Sequence, residues 1–125
     1  MAKFKDFDEL NEFIFDKYGV KCEFLWEKYP EFGVFRHESK GKKSGKWFCL
    51  FMWLDGDKFD LKKDEKIAVL NLKCDPELAT ILHDFKGIFP AYHMNKKHWI
   101  SVILNVLPKS QVADLIDESW NLTKK

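Results

Sequence analysis

The stretch Trp-Phe-Cys-Leu-Phe-Met-Trp-Leu, residues Trp47 to Leu54, is the longest uninterrupted apolar run in this sequence. Its eight residues are too few to cross a bilayer, which takes about 20. Half of them are aromatic, and large rings without intervening charges are typical of a strand that lies deep in a sheet and packs on both faces. We therefore expect a sheet to organise the fold, with this run as one of its inner strands.

The rest of the chain shares the aromatic bias of this run. Its 125 residues are 46% hydrophobic and include 12 Phe and 5 Trp, so one core can close and compositional disorder is excluded. The length corresponds to one domain, residues 1–125. Large side chains favour an α+β or all-β class over a helical bundle.

Three elements are predicted before the central run. Asp6 followed by Glu9 resembles a capping box, and apolar residues recur at helical spacing until Gly19. Strict alternation predicts a half-buried strand from Lys21 to Glu27, and a second strand runs from Gly33 to His37.

Four elements are predicted after it. Ile67 to Lys73 and Trp99 to Leu104 read as strands, and the order Asp75-Pro76-Glu77 is typical of a helix start. The buried stripe predicted for that helix, which ends at Gly87, is Leu78, Ile81, Leu82 and Phe85. A last helix opens at Pro108, with its inward stripe at Val112, Leu115, Ile116, Ser119 and Trp120. Short connections favour antiparallel pairing, so we predict an α+β two-layer sandwich with helices on one face of an antiparallel sheet.

The charges nearly cancel but are unevenly distributed. The chain has 21 basic and 20 acidic residues, and Arg36 is its only arginine. Residues 1–35 hold five lysines and eight acids, whereas residues 36–66 hold nine basic and six acidic residues. Because arginine is the side chain that forks onto guanine, a single arginine argues against sequence-specific base readout.

The cysteines and the first residues indicate the compartment. Cys22, Cys49 and Cys74 are widely spaced and form no ligand-like pair, so they read as free, mostly buried thiols in a reducing cytoplasm. The N-terminus turns acidic within a few residues, unlike a signal peptide. We expect a cytoplasmic protein without a membrane partner.

The segment Pro90 to Trp99 is the least generic part of the chain. Its sequence, Pro-Ala-Tyr-His-Met-Asn-Lys-Lys-His-Trp, holds two His and two Lys among aromatic residues. Together with Lys73-Cys-Asp-Pro-Glu77 and Ser119-Trp120, it resembles the MmcQ/YjbR-like family of small bacterial proteins, from about Leu70 to the end of the chain.

The resemblance implies a frataxin/CyaY-like fold and a proposed double-wing role in which projecting β-hairpins approach DNA. It implies no catalytic residue. The wings would be the hairpin around Lys40 to Lys46 and the turn Asn95 to Lys97, whose lysines would hold phosphates without reading sequence. The candidate nucleic-acid-binding residues are Lys42, Lys43, Lys46, Tyr92, His93, Asn95, Lys96, Lys97 and His98.

Other interpretations of these residues stay open. The lysine-rich loop is also typical of a solvated hairpin tip. Asn95 is also typical of a tight turn, and Tyr92 and Trp99 could pack as cross-strand partners. Tyr92, His93, Lys96, His98 and Cys74 are the side chains that an enzyme would use. No nucleophile elbow, phosphate loop or zinc-protease motif accompanies them, so we predict no enzyme and no cofactor.

Metal and protein partners are the remaining alternatives. His93 and His98 lack a third ligand at the usual spacing, so no structural zinc site is predicted. By the frataxin-like analogy, the first helix could hold a hard cation loosely, although a solvated helix face explains the same acids: Asp8, Glu9, Glu12 and Asp16. A protein-interaction module or a homodimer is equally compatible with the charge pattern.

Overall fold

The computed structural model describes residues 3–38, 45–55, 66–82, 86–92 and 94–124. Their elements follow the order α1 (Phe7–Tyr18), β1 (Gly33–Arg36), β2 (Trp47–Asp55), β3 (Lys66–Lys73), α2 (Pro76–Leu82), β4 (Ile88–Pro90), β5 (Trp99–Ile103) and α3 (Lys109–Thr123). The strands form one antiparallel sheet in the order β1-β2-β3-β5-β4.

The sheet separates two apolar clusters. On the helix face, buried strand residues pack against all three helices, as in Phe51 and Leu70 with Ile14, Ala79 and Ile116. The second face carries a smaller buried cluster without helical members: Val34, Leu50, Met52, Leu54, Val69 and Ile103. This arrangement confirms the predicted α+β class with helices on one face of an antiparallel sheet.

The central strand contacts both clusters because its residues alternate between the two faces, and this alternation is interrupted once. Phe35 pairs with Cys49 but Arg36 pairs with Trp47, so Phe48 is the extra residue of a β-bulge. Phe48 and Cys49 therefore both lie in the helix-face core, whereas Trp47 packs against the second face. The prediction that this run packs on both faces is confirmed.

The last helix supplies the hydrogen bonds that the bulge removes from the ladder. The regular pairing of β2 with β3 ends at Cys49 and Leu72. Beyond that pair, the hydroxyl of Ser119 accepts from the Lys73 N–H at 2.9 Å and donates to the Phe48 carbonyl. The Ser119 side chain thus bridges two strands at the point where their backbones no longer meet.

The helix ends follow the predicted local chemistry. The Asp6 side chain accepts from the Glu9 N–H at 3.0 Å, and Gly19 ends α1 in the left-handed region at φ 72°. The Asp75 side chain likewise accepts from the Glu77 N–H at the start of α2. None of the described helices is long and apolar enough to cross a membrane.

Two predictions about burial are wrong. Lys21 to Glu27 is not a strand, because only Glu23 pairs with β1, and Phe24 is 57% exposed. The apolar and polar residues of this segment therefore alternate without a continuous partner strand beside them. On α2, Ile81 is 59% exposed, whereas Ala79 and Leu82 are buried, because these two residues share the turn face that meets the core. Phe85 lies outside the described residues.

Candidate nucleic-acid interface

The register brings four lysines to one end of the sheet. Here β3 finishes at Lys73, β2 begins directly after Lys46, and β5 begins directly after the turn containing Lys96 and Lys97. We call these four lysines the lysine end. Since β3 separates β2 from β5, Lys46 and the turn are about two strand spacings, or about 10 Å, apart across the sheet.

The turn before β5 is built around Asn95. Its side-chain oxygen accepts from the Lys97 N–H at 2.8 Å, and its carbonyl accepts from the Trp99 N–H at 3.0 Å. The Lys96 ammonium donates to the Ala91 carbonyl at 2.9 Å. The turn is therefore an ordered support for exposed lysines, and the tight-turn interpretation of Asn95 is confirmed.

A buried polar pair attaches the preceding segment to the second face. The Ser101 hydroxyl accepts from the Tyr92 N–H at 2.9 Å and donates to the Asn71 side chain at 2.6 Å. The Asn71 amide donates in turn to the Tyr92 carbonyl at 2.8 Å. Asn71 and Ser101 are fully buried, and sequence reasoning missed both of them. The signal in the sequence that could have identified them is a polar residue at an inward-facing position of an otherwise apolar strand.

The lysine end is a cluster of positively charged side chains. Lys46, Lys96 and Lys97 are exposed and Lys73 is half-buried. The salt bridges in the described ranges involve other cations, namely Lys17, Arg36, Lys66 and Lys109. The four lysines are thus free of carboxylate partners among the residues that the structure describes.

His98 belongs to the same turn as Lys96 and Lys97. It is half-buried, and its carbonyl accepts from the N–H of Cys74, the residue after Lys73, at 2.8 Å. Lys42, Lys43 and His93 lie outside the described residues, as does most of the predicted hairpin. Of the nine predicted residues, the structure brings together five at this end of the sheet: Lys46, Asn95, Lys96, Lys97 and His98.

The single arginine is engaged elsewhere. Both Nε and Nη2 of Arg36 donate to the Glu23 carboxylate at 2.7 Å, a bidentate pair. Hydrogen bonding to Glu23 raises the pKa of Arg36 and keeps its fork occupied. The side chain best suited to reading guanine is therefore held by the protein itself.

Of the four acids on the exposed face of α1, Glu9 makes contacts within the chain. Glu9 takes part in the N-terminal cap through its N–H and pairs with Lys109 at 3.4 Å. Asp8, Glu12 and Asp16 are exposed. In the ranges that the structure describes, no three His, Cys, Asp or Glu side chains are grouped so that they could hold a metal ion.

The three cysteines are free thiols, as predicted. Burial, followed by the Glu23 carboxylate, raises the pKa of Cys22 to about 12. Burial, followed by the carboxylates of Glu118 and Asp75, raises the pKa of Cys74 to about 11. Cys49 is fully buried, and burial raises the pKa of its thiol well above the ordinary value. At neutral pH all three are protonated and poor nucleophiles.

Thiol modification tests this protonation state. Since the pKa of Cys22 lies about three units above the ordinary value of 9.0, we expect its thiolate fraction at pH 8 to fall about a thousandfold on folding. Reaction with Ellman's reagent should accordingly be slow for the native chain and complete within minutes in urea. A fast native phase at pH 8 would contradict the raised pKa values.

Comparison with known proteins gives related sequences over most of the chain. A model described as YjbR matches residues 15–122. "Uncharacterized protein YyaQ" of Bacillus subtilis (strain 168) is 37% identical over 118 residues, covering 94% of this chain and 97% of the relative. "Uncharacterized protein YbdF" of Escherichia coli O157:H7 is 39% identical over 102 residues, covering 80% of this chain and 70% of that protein.

Solved structures share the architecture. A crystal structure of a Pseudomonas syringae protein superimposes with a TM-score of 0.88 at 37% identity, covering 95% of this chain and 99% of its own. A Deinococcus radiodurans protein with the domain DUF419 has a TM-score of 0.70 at 27% identity, covering 94% and 78% of the two chains.

Proposed function

This chain belongs to the YjbR family, and we propose that it binds nucleic acid without sequence preference, using the lysine end of its sheet to hold phosphates. One observation carries the proposal. Lysines from three separate chain segments meet at this end, and none has a carboxylate partner among the described residues. Clustered cations of this kind attract a polyanion and release its counterions.

The chemistry of the cluster favours phosphates over base edges. Lysine acts as a hydrated point charge without the planar fork that recognises guanine. Arg36, which has that fork, is paired with Glu23. Lys96 keeps two of its three N–H donors after its bond to Ala91, so its ammonium is both positioned and available.

The geometry also supports a preferred approach direction. The exposed acids Asp8, Glu12 and Asp16 lie on α1, in the helix layer. A phosphate backbone would thus meet repulsion from the helix layer and attraction at the lysine end.

Charge reversal in the turn tests the proposal. For the double variant Lys96→Glu/Lys97→Glu, we expect affinity for unrelated 20-base-pair duplexes to fall at least tenfold in low salt. The slope of log K against log salt should become shallower by about 0.9 for each lost phosphate contact. Fluorescence anisotropy between about 25 and 200 mM salt measures both quantities.

A matched double variant provides the control. Lys5 and Lys28 are exposed and lie away from the lysine end, so Lys5→Glu/Lys28→Glu changes the net charge equally. Equal weakening by both double variants would assign binding to overall charge and contradict the proposed surface. No binding of duplex or single strand by the native chain in low salt would reject nucleic acid and leave a protein-interaction role or weak cation binding.

A further inference from the structure

A row of alternating cations and tryptophans crosses the second face at the lysine end. The register pairs Arg36 with Trp47 on β1 and β2, and Lys73 with Trp99 on β3 and β5. In the sheet order β1-β2-β3-β5 these two pairs follow each other as arginine, tryptophan, lysine and tryptophan, beyond the last regular pair of β2 with β3, Cys49 with Leu72. This pattern is distinct from the exposed lysines of the flanking turn.

Alternation along the strands places the row on the second face. Trp47 packs against the second-face cluster directly. Lys73 follows Asn71 by two residues and Trp99 precedes Ser101 by two, and these two polar side chains both meet the Tyr92 main chain on that face. Residues two apart in a strand share a face.

Neither tryptophan of the row is fully buried. Trp47 and Trp99 are half-buried. Trp26 packs edge-on against Trp47, with ring centroids 5.6 Å apart and an interplanar angle of 88°, which orients the Trp47 ring. Arg36 is neutralised by Glu23, so Lys73, between the two rings, is the available cation of the row.

We infer that the ligand of the lysine end is single-stranded nucleic acid, with unpaired bases stacking on Trp47 and Trp99 and phosphates held by Lys73 and the flanking lysines. This inference rests on the proposed function and specifies its substrate class. An aromatic ring next to a cation suits an exposed base with its phosphate, and the combination tolerates any sequence. A duplex keeps its base faces stacked, so it would engage the lysines alone.

The test compares strands and removes one ring at a time. The probes are a 20-residue oligodeoxythymidylate, a 20-residue oligouridylate and a 20-base-pair duplex in low salt. We expect the native chain to bind at least one single strand about tenfold more tightly than the duplex, with quenched tryptophan emission. Preference between the two single strands distinguishes DNA from RNA as the source of the unpaired bases.

Variants separate stacking from charge. Trp99→Leu should weaken single-strand binding about tenfold and leave duplex binding unchanged. Trp99→Phe keeps an aromatic ring and should retain most of the single-strand affinity. Trp47→Leu tests the second ring independently. The urea midpoint of each variant reports its folding.

Two results would overturn the inference. The first is that the native chain binds the duplex as tightly as it binds each single strand, a result that requires no variant. The other is folded Trp99→Leu and Trp47→Leu variants with native single-strand affinity. Failure of the proposed function is recognisable separately, since the native chain would then bind none of the three probes.

Discussion

Replacing Ser119 by alanine is expected to lower the free energy of unfolding by about 2–4 kcal/mol. The Ser119 hydroxyl is fully buried and serves two backbone groups, the Lys73 N–H and the Phe48 carbonyl. The bulge at Phe48 keeps these groups from pairing with each other, and Ser119→Ala leaves both without a partner. Each orphaned buried group costs about 1–3 kcal/mol.

Urea unfolding followed by tryptophan fluorescence measures this loss. The matched control is Ser110→Ala, since Ser110 is exposed near the start of the same helix. That substitution reports the change in helix propensity alone, which is about 0.5 kcal/mol or less. If Ser119→Ala were no more destabilising than Ser110→Ala, the Ser119 bridge would contribute nothing to stability. The Lys73 N–H and the Phe48 carbonyl would then have other hydrogen-bond partners.

Replacing Asn71 by alanine is the second large effect, with an expected loss of about 2–4 kcal/mol. The fully buried Asn71 side chain donates to the Tyr92 carbonyl and accepts from the Ser101 hydroxyl. The variant orphans both groups and opens a small cavity in the second face. The Tyr92 amide should also exchange faster with solvent, because its acceptor Ser101 loses its orienting partner.

A double-mutant cycle with Ser101→Ala isolates the buried pair. Since the two side chains share one hydrogen-bonded network, we expect their effects to be non-additive by about 1 kcal/mol. Asn121→Ala, at an exposed position of α3, is the control for a generic asparagine substitution. Strictly additive losses, or an Asn71→Ala variant as stable as Asn121→Ala, would contradict a coupled network.

The Asn71–Ser101 pair also links the fold to the proposed interface. Through the Tyr92 main chain it fixes the segment that leads into the Asn95 turn, where Lys96 and Lys97 are displayed. Charges on an ordered support lose less conformational entropy when they bind a phosphate. The polar residues that stabilise the second face thus also position the lysines.

The central strand and the boundaries of α1 were predictable because their signals are local. Asp6 and Gly19 act through backbone groups within four residues of themselves, and the apolar run from Trp47 to Leu54 requires burial wherever it is placed. The Asn95 turn is local for the same reason. The Lys21 to Glu27 strand failed because alternation does not supply a partner strand.

The candidate site was predictable in part. Lys46 and the Asn95 to Lys97 turn were identified as basic segments, but their meeting at one end depends on β3 lying between β2 and β5. Lys73 was missed as a contact residue because it follows an apolar strand and stands alone in the sequence. Its pairing with Trp99, 26 residues later, is a property of the register.

By itself, the sequence determined the three helices, four of the five described strands, the caps at Asp6, Gly19 and Asp75, the burial of the central strand and the segments that carry the family resemblance. Only the tertiary structure decided the bulge at Phe48, its bridge from Ser119, the Asn71–Ser101 pair and the gathering of four lysines. The bridge joins Phe48 to a serine 71 residues away along the chain. Such contacts arise from strand order and helix docking, which depend on the whole core and leave no periodic signal in the sequence.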